Sequence, residues 1–70
     1  MRVTTMTELG VLIREERLHQ KLTQTDLAGI SGVGITFISQ LENGKETTEM
    51  ERVIRVLTML GIDLYAERRG

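Results

Sequence analysis

Three glycines fall within six positions, Gly29, Gly32 and Gly34, in the stretch "AGISGVGITFISQLENGK". Glycine in a helix interior costs about 1 kcal/mol relative to alanine, so one continuous helix does not run through this segment. The chain turns sharply there instead. Before the glycines stands a start signal, "TQTD", in which the Thr23 hydroxyl can accept from the Asp26 backbone N–H. Asp26 reaches back and favours the helix N-terminus electrostatically. A short helix is therefore expected from this signal to near Ile30. After the glycines a second short helix is expected from Ile35 to Glu42 or Asn43, ended by Asn43-Gly44 in the manner of a left-handed cap.

The flanking segments supply the remaining elements. Leu9, Leu12, Ile13 and Leu18 recur at helical spacing behind Thr5 and Glu8, which read as a capping box, and predict a first helix from about Met6 to Gln20. Thr48 with Glu51 reads as another box, and Met50, Val53, Ile54, Leu57 and Leu60 mark the buried stripe of a last helix closed by Gly61. The tail changes period: Ile62, Leu64 and Ala66 alternate with Asp63, Tyr65 and Glu67, the pattern of a half-buried strand.

A chain of 70 residues buries only about 60% of the surface its unfolded form exposes, so help from a partner is expected. There is no cysteine for a disulfide or thiolate metal site, and the single His19 is expected at the surface near a helix C-terminus. The expected staple is a second copy of the chain. No window approaches the roughly 20 apolar residues of a membrane span, and the N-terminus lacks the apolar run of a secretory signal, so a cytoplasmic protein is expected. The net charge of −1 argues against a non-specific polyanion binder. No nucleophile–base pair, metal cluster or phosphate loop is recognisable, which points away from an enzyme and from a cofactor.

Two short helices joined by a tight turn, the second carrying small polar side chains, form the helix-turn-helix arrangement, whose second helix fits the major groove of DNA. Phe37, Ile38 and Leu41 are expected to point inward, leaving Ile35, Thr36, Ser39 and Gln40 on or near the opposite side.

The stretch "LTQTDLAGISGVGITFISQLENGK" resembles the helix-turn-helix of the Cro and lambdoid phage repressor superfamily, often called XRE-like. Within it, "LGVLIREERLHQKLTQ", "GVGITFISQLENGKET" and "VIRVLTMLGIDLYAERR" are similar to small HipB-like antitoxins. The resemblance implies an all-α, four- to five-helix lambda-repressor-like domain spanning residues 1–70, with its core at about 6–60. It also implies a C-terminal β-strand after the last helix, at about 62–67, for which pairing across a homodimer is expected on physical grounds. The implied function is repression of the protein's own operon through a palindromic operator in double-stranded DNA, with a HipA-type kinase toxin as partner. A phage-type regulator without a toxin, or a module that only neutralises a toxin, is the alternative.

Position by position, the resemblance implies that Gln24 contacts the DNA backbone and supports the recognition helix. Gly34, Ile35, Thr36, Ser39 and Gln40 match its recognition surface, and Asn43, Gly44 and Lys45 match a loop that grips phosphate. Thr36 and Gln40 are the best base-edge readers, since glutamine pairs bidentately with adenine and threonine meets the thymine methyl. Plainer readings stand beside these: Gln40 as a solvated helix residue, and Lys45 as a cap on the carbonyl end of its helix. Arg17 and Glu42 match a pair that forms an internal, structural salt bridge. Gly34 departs from the usual Ser or Thr cap, and Ile35 from a polar or basic reader. The tail, through Ile62, Leu64, Tyr65 and Ala66, either covers its own helices or pairs with a second subunit; the dimer is favoured because it satisfies an exposed backbone edge.

Overall fold

The computed structural model describes residues 2–69. Four helices follow in order: α1 over Met6–His19, α2 over Gln24–Ser31, α3 over Ile35–Glu42 and α4 over Met50–Leu60. Leu9 and Ile13 from α1, Leu27 and Ala28 from α2, Ile38 and Leu41 from α3, and Val53, Val56, Leu57 and Leu60 from α4 make one core. The two short central helices pack on each other and are backed by α1 and α4.

Side chains cap the starts of α1 and α2 but not those of α3 and α4. Thr23 accepts from the Asp26 N–H at 3.0 Å while Asp26 accepts from the Thr23 N–H at 2.9 Å, a complete capping box. At α1 the Thr5 hydroxyl accepts from the Glu8 N–H at 3.1 Å, but the Glu8 carboxylate turns to the hydroxyl and N–H of Thr4. The expected Thr48–Glu51 box does not form. Glu49 precedes α4 with no side-chain cap, and its N–H donates to the Thr47 hydroxyl. Glu51 is drawn instead to Arg55, four residues on, at 2.7 Å through both carboxylate oxygens, the stronger charge-assisted contact.

All four helices end alike. A left-handed residue, Lys21, Gly32, Gly44 or Gly61, follows each one. The next residue donates back to the last turn: Leu22 to Arg17, Val33 to Ala28, Lys45 to Gln40 and Ile62 to Leu57. These are Schellman closures, which satisfy carbonyls that the helix end leaves open. Only at Lys21 does a residue with a Cβ occupy the left-handed position.

Three inward faces differ from the sequence expectation. In α1 the row Leu9–Ile13–Arg17 faces inward, so Leu18 is 50% exposed and Leu12 only half-buried. In α4 Val56 takes an inward position while Met50 and Ile54 stand exposed, because the neighbours of this helix, α1 and α2, cover one side only. In α3 Glu42 is buried with Ile38 and Leu41, and Phe37 packs half-buried at the rim of the core. The expected C-terminal strand is also absent among the described residues. A strand is defined by a ladder to a second strand, and no other described segment offers one. Ile62 seats against the core, whereas Leu64, Tyr65 and Ala66 are exposed.

Candidate nucleic-acid interface

The candidate surface is built on α3. Its N-terminus is set by the turn Gly32–Val33–Gly34, where Gly32 adopts φ +68° and Gly34, extended at φ −75° and ψ 152°, places no side chain over the first amides of α3. Arg55 holds the turn from behind, donating to the Gly32 carbonyl at 3.2 Å while its other nitrogens engage Glu51. Val33 tucks against the core, and Ile38 and Leu41 are fully buried, which fixes the rotation of α3 about its axis.

That rotation leaves Ile35, Thr36, Gln40 and Asn43 exposed and Ser39 half-buried. Ile35 keeps nearly half its surface open to solvent. Gln40 and Lys45 line one groove of about 640 Å³ with Phe37, Glu46 and Glu49, between α3 and the segment leading to α4. Gly44, at φ +78°, lies against α1: a Cβ there meets the Thr7 Cα at 2.8 Å, so the loop that carries Asn43 and Lys45 is pressed onto the N-terminal turn of α1. The exposed candidates between residues 34 and 45 thus lie on α3 and the loop that follows it, whereas Ile62, Leu64, Tyr65 and Ala66 belong to the separate C-terminal tail.

Gln24 opens α2 and reaches this surface indirectly. Its Nε2 donates to Glu42 Oε1 at 3.2 Å. The same carboxylate accepts from Arg17 Nε at 2.6 Å and Arg17 Nη2 at 3.0 Å, and Arg17 Nη1 donates to the Leu22 carbonyl at 2.8 Å. The Glu42 carboxylate, hydrogen-bonded to Arg17, holds the guanidinium above its ordinary pKa, outweighing the opposite effect of burial. One buried carboxylate therefore ties α1, the start of α2 and the end of α3. The Arg17–Glu42 pair was legible in the sequence through the family pattern. The third partner, Gln24, was not paired with Glu42, because no periodic spacing links residues 24 and 42.

Two short helices joined by a glycine turn, with the second exposing a small-residue face above a core-anchored side, define a helix-turn-helix DNA-binding unit. The comparisons agree. The helix-turn-helix family matches residues 13–66. The uncharacterised HTH-type transcriptional regulator y4mF of Sinorhizobium fredii is 46% identical over 97% of this chain and 95% of its own length. The restriction-modification controller protein C.AhdI from Aeromonas hydrophila is 26% identical, with a TM-score of 0.74 over 83% of this chain and 84% of that one. HipB in the HipA-HipB-O2-O3 complex superposes with a TM-score of 0.85 over 100% of this chain and 99% of that one, at 21% identity, a likeness of fold. The chain belongs to the helix-turn-helix family of transcriptional regulators, DNA-binding proteins rather than enzymes. Its lambda-repressor-like fold is the one the motif predicted, and no helix among the described residues is long and apolar enough to cross a membrane.

Proposed function

We propose that this chain is a sequence-specific repressor that reads a palindromic operator as a homodimer, in the manner of a HipB-type antitoxin that controls its own operon in the cytoplasm. The observation that carries the reading is the free chemistry of α3. The side chains of Thr36 and Gln40 are exposed, so the hydroxyl and the amide are both available to base edges. Glutamine offers the donor and acceptor that adenine requires, and threonine a methyl for thymine. Ser39 adds a hydroxyl at the side of the helix, and Ile35 an apolar contact for a thymine methyl. Gly34 lets the backbone approach closely, and Gln24, Asn43, Gly44 and Lys45 hold phosphates and so set register. With a net charge of −1, attraction to phosphate alone is weak, and preference must come from base contacts and DNA shape.

The homodimer rests on the tail. Residues 63–69 donate no backbone hydrogen bond to the rest of the described chain, and Leu64 shares a cleft of about 250 Å³ with the exposed Ile54 of α4. A second copy pairing tail to tail through Ile62, Leu64, Tyr65 and Ala66 supplies both the missing ladder and the apolar cover. Two recognition helices then meet half-sites about one helical turn apart.

A HipA-like kinase toxin is the protein partner under this reading, supported by HipB's occurrence in a complex with HipA. A regulator without a toxin is the second reading, favoured by the higher identity to a restriction-modification controller. Both read DNA in the same way. Selection of bound duplexes from a random pool tests the shared part: enrichment of a palindrome is expected, and a pool that stays random contradicts it. Co-expression with the product of the adjacent reading frame separates the two. A stable complex with a kinase-sized protein supports the antitoxin, and its absence the free-standing regulator.

A further inference from the structure

The Arg17–Glu42 pair ties helices together, yet a buried pair is a poor source of stability, because apolar side chains of similar volume generally do as well. Its geometry serves something else. Glu42 accepts three hydrogen bonds, two from Arg17 and one from Gln24, and Gln24 is the first residue of α2, half-buried, with no other side-chain hydrogen bond among the described residues. A primary amide has two N–H donors that diverge. With one committed inward to Glu42, whose side chain is only 3% exposed, the other points away from the buried carboxylate.

We propose that Glu42, itself oriented by Arg17, is a positioning residue for DNA binding: it holds the Gln24 amide so that its second N–H meets a backbone phosphate. The inference rests on the DNA-binding reading above. A glutamine free in solvent must give up rotamer freedom to make such a contact, whereas one already held gives up little. What Glu42 supplies is orientation rather than donor strength, since an amide that already donates to a carboxylate keeps a slightly poorer second N–H. The pair thereby acts on DNA without touching it, and α1 takes part in binding through Arg17.

The test measures affinity for a duplex selected by the wild-type chain, and for the same duplex with single phosphates replaced in turn by neutral methylphosphonates. The phosphate served by Gln24 is the one whose replacement weakens wild type by an extra factor of roughly two to ten that is lost in Gln24→Ala. Arg17→Met/Glu42→Leu, which removes both charges at similar volume, is expected to fold, to show the Gln24→Ala profile, and to move the Gln24 side-chain amide resonances to those of an unrestrained glutamine. Glu42→Gln, whose one oxygen stays with Arg17, is expected to give the same profile and serves alone if the double variant does not fold. Wild-type sensitivity in either folded variant, or in Gln24→Ala, overturns the proposal while leaving DNA binding intact. Absence of sequence preference in the wild type overturns both.

Discussion

Gly10 of α1 packs directly against the main chain of Leu41 in α3: a Cβ at Gly10 would lie 2.5 Å from the Leu41 carbonyl oxygen and 2.6 Å from that of Glu42. Real Cβ atoms do not approach backbone this closely, and backbone at the end of a buried helix does not rotate aside. The crossing lets α1 seat the last turn of α3, next to Asn43 and Lys45. Alanine at an ordinary helix position gains about 1 kcal/mol over glycine. Here the overlap outweighs that gain, and Gly10→Ala is expected to destabilise the fold by about 1–3 kcal/mol. Denaturant unfolding followed by circular dichroism measures it; a variant as stable as wild type shows that α1 can slide at no cost.

Lys21 is the one side chain in a left-handed helix closure, at φ 60°. The left-handed conformation costs an L-residue roughly 1–2 kcal/mol, offset in part by glycine's greater freedom in the unfolded chain. Lys21→Gly is expected to raise stability by about 0.5–1 kcal/mol, read as a higher unfolding midpoint with unchanged denaturant slope.

Asp26 and Glu8 carry the pH dependence of the helix starts. Hydrogen bonds from Thr23, chiefly from its backbone N–H, hold the Asp26 carboxyl below the ordinary aspartate value, and those from Thr4 and Thr5 do the same for Glu8. A carboxylate with a lowered pKa in the folded state binds fewer protons there than in the unfolded chain. Its stabilisation is therefore complete above the unfolded value and is lost as pH falls through the folded one. Asp26→Asn is expected to be less stable than wild type near neutrality and to converge with it in acid. A gap that persists in acid contradicts the assignment.

Deleting residues 62–70 removes the unpaired tail but also Ile62, which seats against the core. The expected result is a monomer of lower stability, read by light scattering and thermal unfolding. Unchanged mass in solution contradicts the tail-paired dimer.

The elements were legible wherever one local rule acted unopposed. The glycines at 32, 44 and 61 end three helices because nothing competes with a left-handed closure there. The rule failed where two side chains contended for one partner or one side of a helix. Glu51 leaves Thr48 for Arg55, and Arg17 takes the inward row because Glu42 waits across the core, which turns Leu18 out to solvent. Those outcomes depend on contacts between helices, which helical periodicity does not record. The strand-like alternation of residues 62–67 meets the same limit, since a strand needs a partner and no other strand lies among the described residues. The exposed face of α3 was legible because its inward anchors, Ile38 and Leu41, leave it only one orientation. The Gln24–Glu42 bond was not, because it joins two helix ends that only the folded chain brings together.

The central claim is that Thr36 and Gln40 read base edges from α3. It is tested most directly by measuring the affinity of wild type, Thr36→Ala and Gln40→Ala for the selected duplex and for duplexes changed one base pair at a time. Both substitutions lie on the exposed face and are expected to leave stability within about 0.5 kcal/mol of wild type. Each is expected to weaken binding by about 1–3 kcal/mol and to relax preference at a single base pair while leaving the others intact. Affinity and base preference unchanged in both variants contradict the claim.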